Sequence, residues 1–359
     1  MKIGILGTRG IPNHYGGFEQ FAEHLSVGLV RLGHEVWVYN PHNHSFKEPR
    51  WHGVNLIHCF NPETYIGTPG QFLYDLKCIH DTRKRDFDVI LQLGYTSSSV
   101  WNRCLPHKPK IATNMDGLEW KRSKYSKPVR WFLKYAENLA VKSSDLLIAD
   151  SEVIQDYLAN SYRVSPIYIP YGADIFNTPD PSILFPFDVR PKEYFLIISR
   201  MQSDNHLKEI IRGVLQSDAK IPLLIIGHIG SSYGKLLLKT YASEKIRFLG
   251  PIFEKKTLNN LRYYASFYFH GHSSGGTNPS LLEAMAASSP VCAHDNPFNR
   301  EVLGADACFF SNSGQICEIL KDFQNQNRQS EWILNNIRKI RIKYDWNKVI
   351  QAYERQLSS

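Results

Sequence analysis

Short apolar runs alternate with helical patterns from one end of this chain to the other. That rhythm is the signature of βα units laid into parallel sheets, and few folds accommodate it. In the first half, strands are predicted at Lys2–Leu6, Glu35–Tyr39, Asn55–His58, Asp88–Leu93, Lys110–Thr113, Asp145–Ala149 and Ile167–Ile169. Helical patterns lie between them, notably at Phe18–Leu32, Gln71–Arg85 and Pro128–Lys142. The segment Pro170-Tyr171-Gly172-Ala173-Asp174 leads into a stretch punctuated by Pro179, Pro181, Pro186 and Pro191, which reads as a linker. The rhythm restarts with strands predicted at Tyr194–Ser199, Leu223–Ile226, Arg247–Leu249, Ser266–His270, Val291–His294 and Cys308–Phe310. A chain of 359 residues is long for one domain and natural for two. The expectation is an α/β protein of two doubly wound, Rossmann-like domains facing a cleft, residues 1–175 and 190–342.

Ligands of such sheets sit at the carboxyl ends of strands, so the loops there carry the functional candidates. The most informative is HGHSSGGTNPSLLEAM, His270 to Met285. Gly275, Gly276 and Thr277 let the backbone come close to a ligand. Asn278 suits a helix N-cap and Pro279 the first helical position. Amides at such a start, near Ser280 and Leu281, attract phosphate. Glu283, one turn on, is placed to accept hydrogen bonds from a ribose diol. Together they suggest a nucleotide site; the plain alternative is a capped helix whose glutamate faces water.

Elsewhere the signals are weaker. GILGTRG holds Gly4, Gly7 and Gly10 after a strand, but as GxxGxxG, and the second strand closes on Asn40 and Pro41 instead of an acid. NAD is therefore not expected. Gly16 and Gly17 open the first helix, as an amide cradle for a phosphate or sugar hydroxyl or simply as a tight connection. Arg200 ends the first strand of the second half, where a guanidinium can grip a diphosphate or merely face water. Asp116, in NMDGLEW, is either a group that orients an acceptor hydroxyl or a turn aspartate before Gly117. Asp86-Phe87-Asp88 matches a DxD metal motif yet reads as a solvated turn, and His270 and His272 lack a third ligand, so no metal is expected and the pair reads as strand-end histidines, one of them a candidate to hydrogen-bond a sugar.

A net charge of +8 invites an anionic partner, although no nucleic-acid-binding module is recognisable. Six cysteines without CxxC spacing, an opening apolar run too short for a signal peptide, and no run near 18 apolar residues point to a cytoplasmic protein.

Taken together, GTRGIPNHYGGFE, PYGAD, NMDGLEWKRSKY, FLGPI, HGHSSGGTNPSLLEAM and the ending YDWNKVIQAYERQL resemble the GT-B glycosyltransferases of glycosyltransferase family 4. Within that family they resemble the subgroup that includes bacterial surface-polysaccharide rhamnosyltransferases. The resemblance covers essentially the whole chain. It implies a GT-B fold whose last helix, about 345–359, crosses back to an acceptor-side first domain, the second domain binding the donor. It further implies retaining, metal-independent transfer of a sugar, rhamnose among the candidates, from a UDP- or dTDP-sugar, with no cofactor. Glu283 matches the second acid of the family's EX7E motif, which holds the ribose; the first falls on Gly275 and is absent. Arg200 matches the family's diphosphate arginine, but Asn205 stands where the lysine belongs, leaving Lys208 as the nearest substitute. The implied mechanism has Arg200 and Glu283 on the donor and Asp116 beside the acceptor. These two departures also keep open a catalytically weak nucleotide-sugar-binding subunit, and a nucleotide-sugar epimerase shares the fold.

The implied acceptor is a polyprenyl-diphosphate-linked glycan, so the chain is expected at the inner face of the cell membrane. Between Arg103 and Lys142, ten basic residues face only Asp116, Glu119 and Glu137, with Trp120, Tyr125, Trp131, Phe132 and Tyr135 interleaved. That mixture suits an anionic membrane surface; a solvated basic helix with inward aromatics is the alternative.

Overall fold

Apolar side chains without alternation make strands that are covered on both faces. The segment Val89–Leu93 is buried at every position, and Leu223–Ile226 likewise. Such strands need helices above and below them, which is what the intervening sequence supplies. The computed structural model describes every residue except Tyr15, Ser123 and residues 322–325. Tyr15, which precedes Gly16 and Gly17 in the sequence, thus lies outside the described residues. The chain divides into two units, Met1–Lys121 with Tyr125–Tyr171 and Trp346–Ser359, and Arg122–Lys124 with Gly172–Asp345.

The first unit holds strands β1 (Lys2–Leu6), β2 (Glu35–Pro41), β3 (Arg50–Trp51), β4 (Val54–Cys59), β5 (Val89–Leu93), β6 (Lys110–Asn114), β7 (Leu146–Ala149) and β8 (Ile167–Tyr168). Between them run helices α1 (Gly17–Arg31), α2 (Glu63–Ile66), α3 (Pro69–Thr82), α4 (Lys127–Ser143) and α5 (Glu152–Tyr162). The sheet order is β3-β4-β2-β1-β5-β6-β7-β8, parallel except for the β3–β4 hairpin. Strand order reverses between β1 and β5, which are paired. The loop after β1 therefore opens at a topological switch point. Helix α1 buries Phe21, Ala22, Leu25 and Leu29, an i, i+1, i+4, i+8 stripe against the sheet.

The second unit holds β9 (Phe195–Ile198), β10 (Leu223–Ile226), β11 (Ile246–Gly250), β12 (Phe267–His270), β13 (Val291–His294) and β14 (Cys308–Phe310). Its helices are α6 (Leu207–Gln216), α7 (Ser232–Tyr241), α8 (Lys255–Tyr264), α9 (Pro279–Ala286), α10 (Pro297–Leu303), α11 (Ser313–Lys321) and α12 (Gln326–Lys343). All pairings in the order β11-β10-β9-β12-β13-β14 are parallel, and the reversal falls between β9 and β12. The core centres on Phe195, Ile197, Phe267, Phe269 and Ile210.

The proline-punctuated stretch expected as a linker is folded into the second unit. Pro181–Phe187 is a 3₁₀ helix capped by Asp180, whose backbone amide donates to Asn260 Oδ1 of α8 at 2.7 Å. The last helix, α13 (Trp346–Ser358), belongs to the first unit. Phe21 of α1 packs its ring against Trp346 and Tyr353, and Asn114 at the end of β6 donates to the Tyr353 hydroxyl at 2.8 Å. Gly28 leaves the room on α1 that Ile350 fills.

Candidate donor site

The switch point of the second sheet brings two loops together, one after β9 and one after β12. Arg200 stands on the first, exposed. The second runs from Gly271 to Asn278, where α9 begins. As the sequence predicts, Asn278 caps that helix: its Oδ1 accepts from Ser280 N at 2.9 Å, and Pro279 occupies the first turn.

That cap has a consequence for anion binding. The Ser280 amide is spent on Asn278 Oδ1, and the Leu281 amide donates to the Asn278 carbonyl at 3.0 Å. Pro279 has no amide hydrogen to offer. The expectation of open helix-start amides for a phosphate thus fails at Ser280 and Leu281, because the local cap takes them first. Gly275, Gly276 and Thr277 remain as the backbone of the loop, with Gly275 at φ +118°, a conformation other residues resist.

Glu283 lies one turn into α9, with a fifth of its side chain exposed. Its Oε2 accepts from Arg262 Nη2 at 2.5 Å. Arg262, on α8, is almost wholly buried at 2 % exposure and also reaches Ser280 Oγ and Asn259 Oδ1. The Ser280 hydroxyl meets Tyr268 OH at 2.7 Å. So the carboxylate sits on a rigid post of Arg262, Ser280 and Tyr268. Sequence reasoning missed Arg262, since an arginine at the end of an ordinary amphipathic helix carries no mark of its partner.

Asn205 is buried at 3 % exposure, on a short 3₁₀ turn after β9. Its Nδ2 donates to the Arg200 carbonyl at 2.7 Å and its Oδ1 faces His272 Nδ1 at 2.9 Å. It ties the two loops together, so its amide nitrogen and its amide oxygen each already have a protein partner. A Cβ on Gly271 would collide with the Asn205 carbonyl, so the glycine lets the loops close up. Lys208, at the start of α6, is exposed.

Two histidines lie at the end of β12, His270 as its last residue and His272 two residues on. His270, at 4 % exposure, has its pKa pushed well below the usual imidazole range by burial, and its Nε2 has no hydrogen-bond partner among the described residues. His272 is held down to about 3, by burial first and then by the cations Arg122, Arg200 and Lys124. Arg122 is itself buried, its Nε 2.8 Å from Asp204 Oδ2. No group of three or more potential ligands for a metal occurs among the described residues.

The remaining candidates lie in the first unit. Gly16 precedes α1, and the loop before it is tied inward: Arg9 N donates to Glu19 Oε1, Asn13 N to Glu23 Oε2 and Ile11 N to Asn40 Oδ1. Gly17 is the first residue of the helix. Asp116 is half-buried at φ +45°, its amide donating to Asn114 Oδ1 at 3.0 Å. Asp88 of the DxD string takes the Lys2 amide at 2.7 Å.

Residues 1–174 match a family described as "Domain of unknown function (DUF1972)". No curated protein matches the chain. Among solved structures, HepE of Anabaena in complex with UDP-glucose is similar at a TM-score of 0.78, with 16% identity over 99% of each chain. Sucrose-phosphate synthase of Thermosynechococcus elongatus is similar at a TM-score of 0.75, with 14% identity over 99% of each chain. A trehalose-phosphate synthase of Burkholderia xenovorans, in complex with glucose-6-phosphate, follows at a TM-score of 0.73, with 13% identity over both whole chains. The chain has the GT-B fold, as two parallel-sheet Rossmann-like domains.

Proposed function

We propose that this protein is a glycosyltransferase: it binds a nucleotide sugar on its second unit and passes the sugar to a glycan acceptor held by the first unit and its returning helix. The observation that carries this reading is Glu283, a carboxylate fixed by buried Arg262 beneath a glycine loop at the sheet's switch point. A held carboxylate in that place suits a ribose diol, and exposed Arg200 and Lys208 suit a diphosphate. The motifs imply a UDP- or dTDP-sugar as donor, and the similar HepE structure, solved with UDP-glucose, supports the first of these.

As the glycosidic bond breaks, charge grows on the leaving diphosphate. Cations that meet it there are worth more in the transition state than in the ground state. Arg200 is assigned that role, Lys208 supplements it, and Asp116 orients the acceptor hydroxyl or takes its proton. Retention, independence of metal, rhamnose as the sugar and a polyprenyl-diphosphate-linked acceptor on an anionic membrane are finer parts of the same reading, and they rest on the resemblance of the motifs. A second reading, nucleotide-sugar binding without turnover, is favoured by Gly275, which offers no carboxylate, and by Asn205, which is turned inward.

One experiment decides between them. A thermal-shift panel of UDP-, dTDP- and GDP-sugars identifies the donor, since a bound ligand raises the melting temperature by mass action. The best binder is then incubated with lipid extract and sugar transfer is measured. Transfer supports the enzyme, tight binding without transfer supports the second reading, and no binding at all removes both.

A further inference from the structure

The hydrogen bonds around Asn205 fix more than the position of a loop. The Arg200 carbonyl can only accept, so the Asn205 group 2.7 Å from it is the amide nitrogen. Asn205 Oδ1 therefore faces His272, and the ring nitrogen 2.9 Å away, Nδ1, must carry the hydrogen. A neutral imidazole holds one N–H, so Nε2 is left as an acceptor. The ring stays neutral at physiological pH because burial and the cations Arg122, Arg200 and Lys124 hold its pKa near 3, with only the Ser274 carbonyl pulling the other way.

The backbone that carries the ring is also held. The His272 carbonyl accepts from Asn296 Nδ2 at 3.1 Å and from Asn299 Nδ2 at 3.0 Å. Nε2 points over Gly275, where a Cβ would stand 3.2 Å from it. The glycine in its left-handed conformation keeps a side chain from covering that nitrogen. The result is one fixed, uncharged acceptor among cations, on the loop that leads into Glu283's helix. A diphosphate has no hydrogen to give it; a sugar hydroxyl does.

We propose that His272 recognises the sugar of the bound nucleotide sugar, its Nε2 accepting a hydrogen bond from a sugar hydroxyl, with Asn205 as the residue that positions it. This rests on the nucleotide-sugar reading of the site.

The test compares each free nucleotide, UDP, dTDP and GDP, with its sugar nucleotide by calorimetric titration. His272→Asn keeps an amide at the place of Nδ1, hence the bond to Asn205, and removes Nε2. It is expected to weaken the sugar nucleotide that wild type binds best by about three- to tenfold, the range of one hydrogen bond, while the matching nucleotide stays within about twofold. His272→Gln carries an acceptor out to the place of Nε2 and is expected to recover part of the loss. Equal losses for nucleotide and sugar nucleotide, or no loss for either, overturn the assignment and leave the proposed function standing. Wild-type protein that binds no member of the panel overturns the proposed function, and the assignment with it.

Discussion

At the scale of single residues, Glu283 carries two tasks that mutation can separate. It neutralises Arg262, whose guanidinium has almost no contact with water, and it is the proposed ribose acceptor. Glu283→Ala leaves that guanidinium buried without its partner, which costs about 3 kcal/mol, at the low end for a broken buried pair because the carboxylate itself is partly in water. A lowered urea midpoint measures this. The same variant is expected to lose about tenfold to a hundredfold in nucleotide affinity, the worth of a charged hydrogen bond. An unchanged dissociation constant would remove Glu283 from the ribose role. Asn205→Lys is a sharper case. The family resemblance alone suggests that a lysine there restores a missing charge. The structure reverses that expectation, because position 205 is buried and both ends of its amide are used. The variant is expected to lower stability by about 1–3 kcal/mol and to leave transfer no faster than wild type; faster transfer would show that the loop reopens to admit the charge. The Asn278 cap was legible because a local rule sets it at a helix start, and the same kind of rule, at a strand end and one turn into a helix, singled out Arg200 and Glu283 as candidates. Arg262 was not, since its meaning lies in a partner 21 residues away, and for the His270 and His272 pair the sequence offered only that one of them hydrogen-bonds a sugar; which one, and through which ring nitrogen, depends on a partner 67 residues away.

At the scale of elements, the basic segment before and along α4 shows what a sequence conceals. Of its ten cations, Arg122 is buried against Asp204, Lys134 donates to Glu137, Arg130 donates to the Trp120 carbonyl and Lys110 donates to the Gln356 carbonyl. Glu137, at 1 % exposure, also collects Trp120 Nε1, Tyr157 OH and Tyr162 OH, so part of the aromatic content packs inward. Composition cannot tell those rings from the outward ones. The helix still leaves Lys127, Trp131 and Tyr135 on one exposed stripe at i, i+4 and i+8, with Trp131 73 % exposed. Among the described residues no helix is long and apolar enough to cross a membrane. Wild-type protein is expected to sediment with anionic vesicles at low salt, and less so as salt rises. Lys121→Glu, Lys124→Glu and Lys127→Glu together should release it, each lysine being worth about 1 kcal/mol at such a surface. Arg122 is left intact, because changing it breaks a buried ion pair rather than a surface charge. Wild type remaining in the supernatant at low salt ends the membrane reading. The strands themselves were readable to within a residue or two, since buried parallel strands are apolar throughout. The hairpin strand β3 escaped, being two residues long, and the 3₁₀ helix at Pro181–Phe187 hid behind prolines that look like a linker.

At the scale of the whole molecule, the two units differ in how they meet acid. The strand ends of the second unit carry His270, His272 and His294, with pKa values held well below the usual range, near 3 and near 4, in each case first by burial. An unfolded chain binds protons at these sites from about pH 6.5 downward, while the folded unit refuses them. The unfolded state therefore binds more protons, and stability rises with pH across that window. The contribution is complete above about pH 6.5 and is lost progressively as pH falls toward 4. In the first unit, Asp75 works in the opposite sense. Burial lifts its carboxyl to about 6, against the bonds from Ser97 and Gln71. Its folded form holds a proton that the unfolded form gives up, so its contribution is present below about pH 4 and fades as pH rises through 6. His44, also lowered by burial, partly offsets that gain. Urea unfolding at pH 7, 6 and 5 is accordingly expected to show the second unit's transition moving to lower urea as the solution is acidified, with the first unit's moving less. His270→Gln removes one of the three imidazoles and cannot take up a proton, so it should flatten the decline whatever it does to stability at pH 7. Parallel behaviour of the two transitions, or a decline as steep in His270→Gln as in wild type, would show that these imidazoles do not govern the second unit's response to acid.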